Sequence, residues 1–103
     1  MPKFIFAYHG GKMPDTPEEG AKVMEAWQNW YGSMGSAVVD GGAPCGQSQT
    51  VMGDGSVKDD GGANPLSGYT LVEAADMAAA TEMAKGCPIL EHGTVEVAPL
   101  VEM

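Results

Sequence analysis

Apolar and polar positions change their period several times along this chain of 103 residues, and each change marks an element. Residues 3–8, KFIFAY, form an apolar run bounded by His9, Gly10 and Gly11, which predicts a strand buried on both faces. The glycine pair and Pro14 predict a loop after it. Residues 16–19, TPEE, then make a strong helix start: Thr16 can cap, Pro17 suits the first helical position, and Glu19 completes a capping box. The helix is expected to run to about Met34, with Gly35 ending it. Ala21, Met24, Trp27, Tyr31 and Met34 recur at spacings of three and four and are expected to lie on a sheet. A second apolar set, Val23, Ala26 and Trp30, lies partly beside that stripe. One sheet face cannot cover both. Either Trp30 lines a cleft or a second subunit packs there, and the subunit is the preferred reading.

The pattern then shortens. Residues 36–40, SAVVD, predict a short strand ending in Gly41 and Gly42, which residues 47–52 could extend after a bend at Ala43 and Pro44. Residues 53–56, GDGS, predict a hairpin turn, since Asp-Gly supplies the positive φ angles such turns need, with 57–60 as the returning arm. After a loop over 60–65 comes the stretch with the clearest punctuation. Residues 68–73, GYTLVE, predict a strand; Asp76 caps a helix over 77–85; Gly86 is expected to end it in a left-handed conformation, with Pro88 beyond. Residues 94–98 alternate as a final strand. The order predicts an α+β fold: a ferredoxin-like βαββαβ sandwich with an inserted hairpin, its four-stranded antiparallel sheet carrying both helices on one face. The other face would stand open. Tyr69 or Leu71 and Val95 or Val97 are expected to place apolar groups on it, and dimerisation through that face is the expected remedy.

Length and composition narrow the function classes. One domain spanning 1–103 is expected, with little room for a second core. The formal net charge is −9, and the five lysines (Lys3, Lys12, Lys22, Lys58 and Lys85) are scattered, with no arginine. No basic stripe exists for a phosphate backbone or an anionic lipid surface, so neither nucleic acid nor membrane is an expected partner. The opening residues lead straight into a strand pattern without the apolar core of a signal peptide. Cys45 and Cys87 show no CxxC or Cys/His spacing, and a reduced cytoplasmic protein is the simplest account. No nucleotide or metal motif occurs, so no cofactor and no metal are expected.

At this point the chain resembles the YCII-related (DGPF-type) domain family. The resemblance is carried by GYTLVEA at 68–74, AKGCP at 84–88 and GTVEVAPLVEM at 93–103, with KFIFAYHGG at 3–11 and TPEEGAKVMEAW at 16–27 adding to it. It implies a small bacterial cytoplasmic domain, a ferredoxin-like dimeric α/β barrel, and for most members no established function. Some members are proposed to be enzymes using a His-Asp pair, with the histidine on the first helix. Here the corresponding position holds Trp27, whose indole has no basic nitrogen and cannot act as a general base. The DGPF signature is also incomplete, with Asp59, Asp60, Gly61 and Gly62 in that region.

The candidate chemistry is sparse. His9, between a strand and two glycines, could transfer a proton at the mouth of a cleft, since an imidazole suits neutral pH; the plainer reading is a hydrogen-bonded loop histidine. Asp40 is the best carboxylate candidate, against the plainer reading of an aspartate accepting backbone N–H bonds in a glycine-rich turn. A His9–Asp40 dyad is the sharpest catalytic expectation. Trp27, Trp30 and Tyr31 could wall a pocket for a planar ligand, although helical aromatic stripes more often serve core and dimer packing. Asp54, Asp59 and Asp60 lack the spacing of a calcium loop and fit turn chemistry better. Cys87, at the end of the second helix, is expected to be a buried residue whose thiol pKa the helix dipole raises. His92 is expected to be an exposed turn residue. The expected protein is a homodimer that binds a small molecule near His9, Trp27 and Asp40. Turnover, if present, would be cofactor-free acid/base chemistry such as isomerisation, elimination or lactone-type hydrolysis. The alternatives are a non-enzymatic ligand-binding module and a purely structural interface.

Overall fold

The computed structural model describes residues 1–11 and 14–101. Lys12 and the last two residues of the carboxy-terminal motif lie outside the described residues. The elements are β1 (Lys3–Gly10), α1 (Pro17–Met34), β2 (Val38–Pro44), β3 (Thr50–Val51), β4 (Val57–Lys58), β5 (Leu66–Glu73), α2 (Met77–Ala84) and β6 (Gly93–Pro99). Short 3-10 turns, Gly35–Ala37 and Pro88–Glu91, link α1 to β2 and α2 to β6. Four strands form one antiparallel sheet in the order β2-β5-β1-β6, while β3 and β4 pair only with each other. Without the hairpin this is the expected ferredoxin-like α+β arrangement. The sheet is open; no barrel closes within one chain.

The helices form where local chemistry dictates. Thr16 Oγ1 accepts from the Glu19 N–H at 3.1 Å, Pro17 follows it, and Glu19 Oε2 accepts from the Asp15 N–H at 3.0 Å. Asp76 caps α2 by accepting from the Ala79 N–H at 2.9 Å. Gly86 departs from expectation, because it has no positive φ and Lys85 closes α2 in a right-handed conformation. A glycine fits there for another reason: a Cβ at Gly86 would come within 3.2 Å of the Trp30 ring. Close packing, not a left-handed cap, uses the glycine.

Alternation sorts the strands into two faces. Phe4, Phe6 and Tyr8 of β1 and Thr70 and Val72 of β5 are buried under the helices with Trp30, Ala80, Ala84 and Cys87. Complete burial of Phe6 stabilises the fold by roughly 1.5–3 kcal/mol. The opposite face carries Ile5, Ala7 and His9 of β1 with Tyr69 and Leu71 of β5, all half-buried in the single chain. β1 is therefore core-facing on one side only, not buried on both. Val95 and Val97 pack against the core, so β6 gives the open face Thr94, Glu96 and Ala98 instead. One residue of register decides that outcome.

β2 also differs from expectation. It runs through Gly41 and Gly42 to Pro44, with irregular pairing to β5 on either side of Asp40. Gly42 adopts φ +69°, and a Cβ there would collide with the Tyr69 carbonyl. The strand bulges at that point and only glycine fits.

Candidate functional site

α1 meets the sheet along half its length. Trp30 is its buried residue and Trp27, Tyr31 and Met34 pack beside it, whereas residues 21–26 are all exposed. The stripe expected on the sheet through Ala21 and Met24 is thus displaced, and Trp30, expected at a cleft or subunit contact, belongs to the core. The indole N–H of Trp30 donates to the Met83 carbonyl at 2.9 Å, which ties α1 to α2. Because the first half of α1 stands away from the sheet, a groove of about 790 Å³ opens beneath it.

The groove is walled on the helix side by Val23, Ala26 and Trp27, and across from them by Pro14, Pro44 and Ile89. Gly10 and Gly11 lie along it, and Glu19, Lys22, Glu91 and His92 supply its charged and polar groups. A second, smaller cavity of about 300 Å³ adjoins it and shares Gly10, Gly11, Cys45 and Ser67. Ser67 Oγ is buried without a hydrogen-bond partner among the described residues. An orphaned hydroxyl of this kind costs about 1–3 kcal/mol, and a polar group placed in the cavity would satisfy it.

Trp27 is held rigidly. Its ring makes edge contacts with Tyr8, at 5.1 Å between centroids, and with Trp30, at 5.6 Å. Tyr31 turns its hydroxyl inward, 3.1 Å from Thr70 Oγ1 and donating to the Gly41 carbonyl at 3.3 Å. Tyr8 donates to Thr70 Oγ1 at 2.7 Å, and Thr70 donates to Gly41 at 3.2 Å. Burial pushes the Tyr8 phenol far above its ordinary pKa, with the Thr70 hydrogen bond opposing. Of the three aromatic residues expected at a ligand site, Trp27 alone lines the groove.

His9 and Asp40 are not brought together. His9 pairs in register with Leu66 and Asp40 with Leu71, on opposite flanks of β5. That separates them by about 16 Å along the strand at roughly 3.3 Å per residue. Asp40 accepts the Gly42 N–H at 2.8 Å, the turn role that was the plainer expectation. His9 has a different carboxylate: Nε2 lies 3.0 Å from Glu96 Oε1, while Nδ1 lies 3.0 Å from the Asn64 carbonyl. Both ring nitrogens of His9 thus face acceptor oxygens. Glu96 sits opposite Ala7, diagonal to His9 on the same open face. Neither cavity is lined by His9.

Sequence reasoning did not anticipate Glu96, Thr70 or Ser67, and of the three residues it placed at a cleft (His9, Trp27 and Asp40) only Trp27 lines the groove. Glu96 could have been found from the β1–β6 register alone, and Thr70 from its position between apolar residues of alternating strand. The groove depends on the tilt of α1, which leaves no local signal. Cys87 is buried and Cys45 exposed, both unpaired. Burial pushes the Cys87 thiol up to about 11, against a backbone hydrogen bond at Ile89. Asp54 takes the Ser56 N–H and hydroxyl, which hold its carboxyl below the usual range, and Asp60 takes the Gly62 N–H. His92 is exposed at the end of the 3-10 turn. No helix among the described residues is long and apolar enough to cross a membrane.

Strand order, helix placement and the groove define a ferredoxin-like α+β domain with one concave candidate site beside its first helix. Residues 4–103 match the YCII-related domain, and the chain belongs to that family. Comparison with curated proteins gives no match. Trp27 forms a wall of the groove.

Proposed function

We propose that this YCII-related protein is a cytoplasmic homodimer that binds a small, largely apolar molecule in the groove beside α1. The observation that carries the reading is the groove itself, with a rigidly held Trp27 on one wall and proline, valine and isoleucine side chains around it. A flat ring laid on Trp27 would exclude water from both surfaces. Among the described lining residues Lys22 offers a cation, beside the carboxylates of Glu19 and Glu91. Ser67 offers a polar contact at the inner end. Two unpaired cysteines suit a reducing compartment. An apolar sheet face bearing Tyr69 and Leu71 favours the homodimer.

An aromatic sulfonate such as 1-anilinonaphthalene-8-sulfonate is a suitable first probe. It should bind wild-type protein with a rise in its own emission and quenching of tryptophan. Ala26→Trp, which fills the groove from an exposed helical position, should abolish both changes. Unaltered probe binding to Ala26→Trp would remove the groove as the site.

A second reading, acid/base turnover without a cofactor, is favoured by the imidazole–carboxylate pair of His9 and Glu96. It requires a substrate on the open sheet face rather than in the groove. If turnover of any substrate is found, His9→Ala and Glu96→Gln should each lower kcat, whereas Asp40→Asn should leave it unchanged. Full activity of His9→Ala removes this reading.

A further inference from the structure

The β3–β4 hairpin has little to hold it as a solitary arm. Each strand has two residues, and the pairs are Thr50 with Lys58 and Val51 with Val57. Its side-chain hydrogen bonds run between its own legs: Gln47 Nε2 donates to the Asp59 carbonyl at 3.1 Å, and Thr50 Oγ1 donates to the Asp60 carbonyl at 2.7 Å. A two-stranded ribbon of this size is marginal in water. Its apolar cross-strand pair is nevertheless turned to solvent, with Val51 71% and Val57 56% exposed and Met52 next to them at 40%. Directly opposed residues share one face of a ribbon, so the two valines make a single patch.

The whole molecule is too extended for a finished monomer. Its surface is 6920 Å², against roughly 5,500 Å² for a compact monomer of this mass. Its radius of gyration is 15.0 Å, against about 13 Å for a compact domain of this length. The excess area, roughly 1,400 Å², exceeds the ~800 Å² that each partner contributes to a standard interface. We infer that the β3–β4 arm clasps a second copy of this chain, laying Val51, Met52 and Val57 on the partner. The inference rests on the homodimer reading and adds the arm to it. A second copy suits the patch because it offers an apolar sheet face of its own, and a two-fold pair engages both arms at once. Each copy carries −9, so the two repel, and salt should tighten an association held by apolar contact.

Sedimentation equilibrium of the full chain, wild type against Val51→Asp/Val57→Asp, tests the clasp at low and high salt. The expected result is a wild-type dimer that tightens with salt, and a double variant whose dissociation constant rises by about tenfold or more. The variant should keep its far-ultraviolet circular dichroism, because neither valine reaches the core. A wild-type dimer with an equally tight double variant overturns the clasp and leaves the dimer standing. A wild type monomeric at every concentration removes the dimer and the clasp together. Isotope-filtered NOE spectra of mixed labelled and unlabelled wild type give an independent reading without substitution. Intermolecular contacts from the Val51 and Val57 methyls support the clasp, and their absence in a proven dimer overturns it.

Discussion

Thr70 is completely buried yet carries a hydroxyl, and that hydroxyl meets Tyr8, Tyr31 and the Gly41 carbonyl. Replacing it with valine keeps the shape and removes the 2.7 Å acceptor of the Tyr8 hydroxyl inside the core, at a cost of about 1–3 kcal/mol. Thr70→Val should accordingly lower the urea midpoint more than Tyr31→Phe, which leaves the Tyr8–Thr70 bond intact. Equal midpoints for the two variants would count against the network.

The cysteines separate at the same scale. Cys87 is raised to about 11 by burial, so its neutral thiol is favoured by folding. That contribution is fully present below the unfolded thiol value of about 8.5 and is lost as pH climbs toward 11. Tyr8 shifts in the same direction and for the same first cause, adding to the alkaline loss at still higher pH. Denaturation midpoints should hold steady from pH 6 to 8 and fall above about pH 9, with Cys87→Ala weakening the first part of that fall. A midpoint that is flat to pH 11 would contradict the burial argument. In native protein at neutral pH a thiol reagent should label exposed Cys45 and spare Cys87 until unfolding.

At the scale of the element, α1 divides its labour. Trp30 sits in the core, stacked 5.9 Å from Phe6 and hydrogen-bonded to α2. Trp27, one turn earlier, is half-exposed on the groove. Trp30→Ala should cost about 3–5 kcal/mol in stability, whereas Trp27→Ala should cost clearly less and show its main effect in probe binding. Comparing denaturation midpoints with probe titration separates the two roles; a Trp27→Ala protein as unstable as Trp30→Ala would merge them. The capping chemistry at Thr16 and Asp76 was legible because a cap involves only a few neighbouring residues. The facing of α1 was not, because two apolar stripes lie side by side and only the sheet decides which one it covers. Gly86 illustrates the same limit: its sequence context suits a left-handed cap, but its neighbour in space is Trp30.

At the scale of the whole molecule, the open face of the sheet and the projecting arm leave a single chain with more surface than its mass warrants. Leu71→Asp on the open face should weaken self-association without unfolding the helices, because Leu71 points away from the core that holds them. Sedimentation with circular dichroism checks it. A Leu71→Asp protein that associates as tightly as wild type would place the interface elsewhere.

The linear pattern of residues by itself determined the element order, both helix caps, the hairpin turn and the ferredoxin-like class, since each depends on period, caps and turn residues close together in the chain. It also supplied the absence of any basic stripe, which is a matter of counting. Tertiary structure alone decided that His9 faces Glu96 rather than Asp40, that Trp30 is core while Trp27 walls a groove, and that Val95 and Val97 turn inward. The physical reason is shared. Each of these outcomes depends on strand register or helix tilt, and both are settled by the simultaneous packing of residues far apart in the chain.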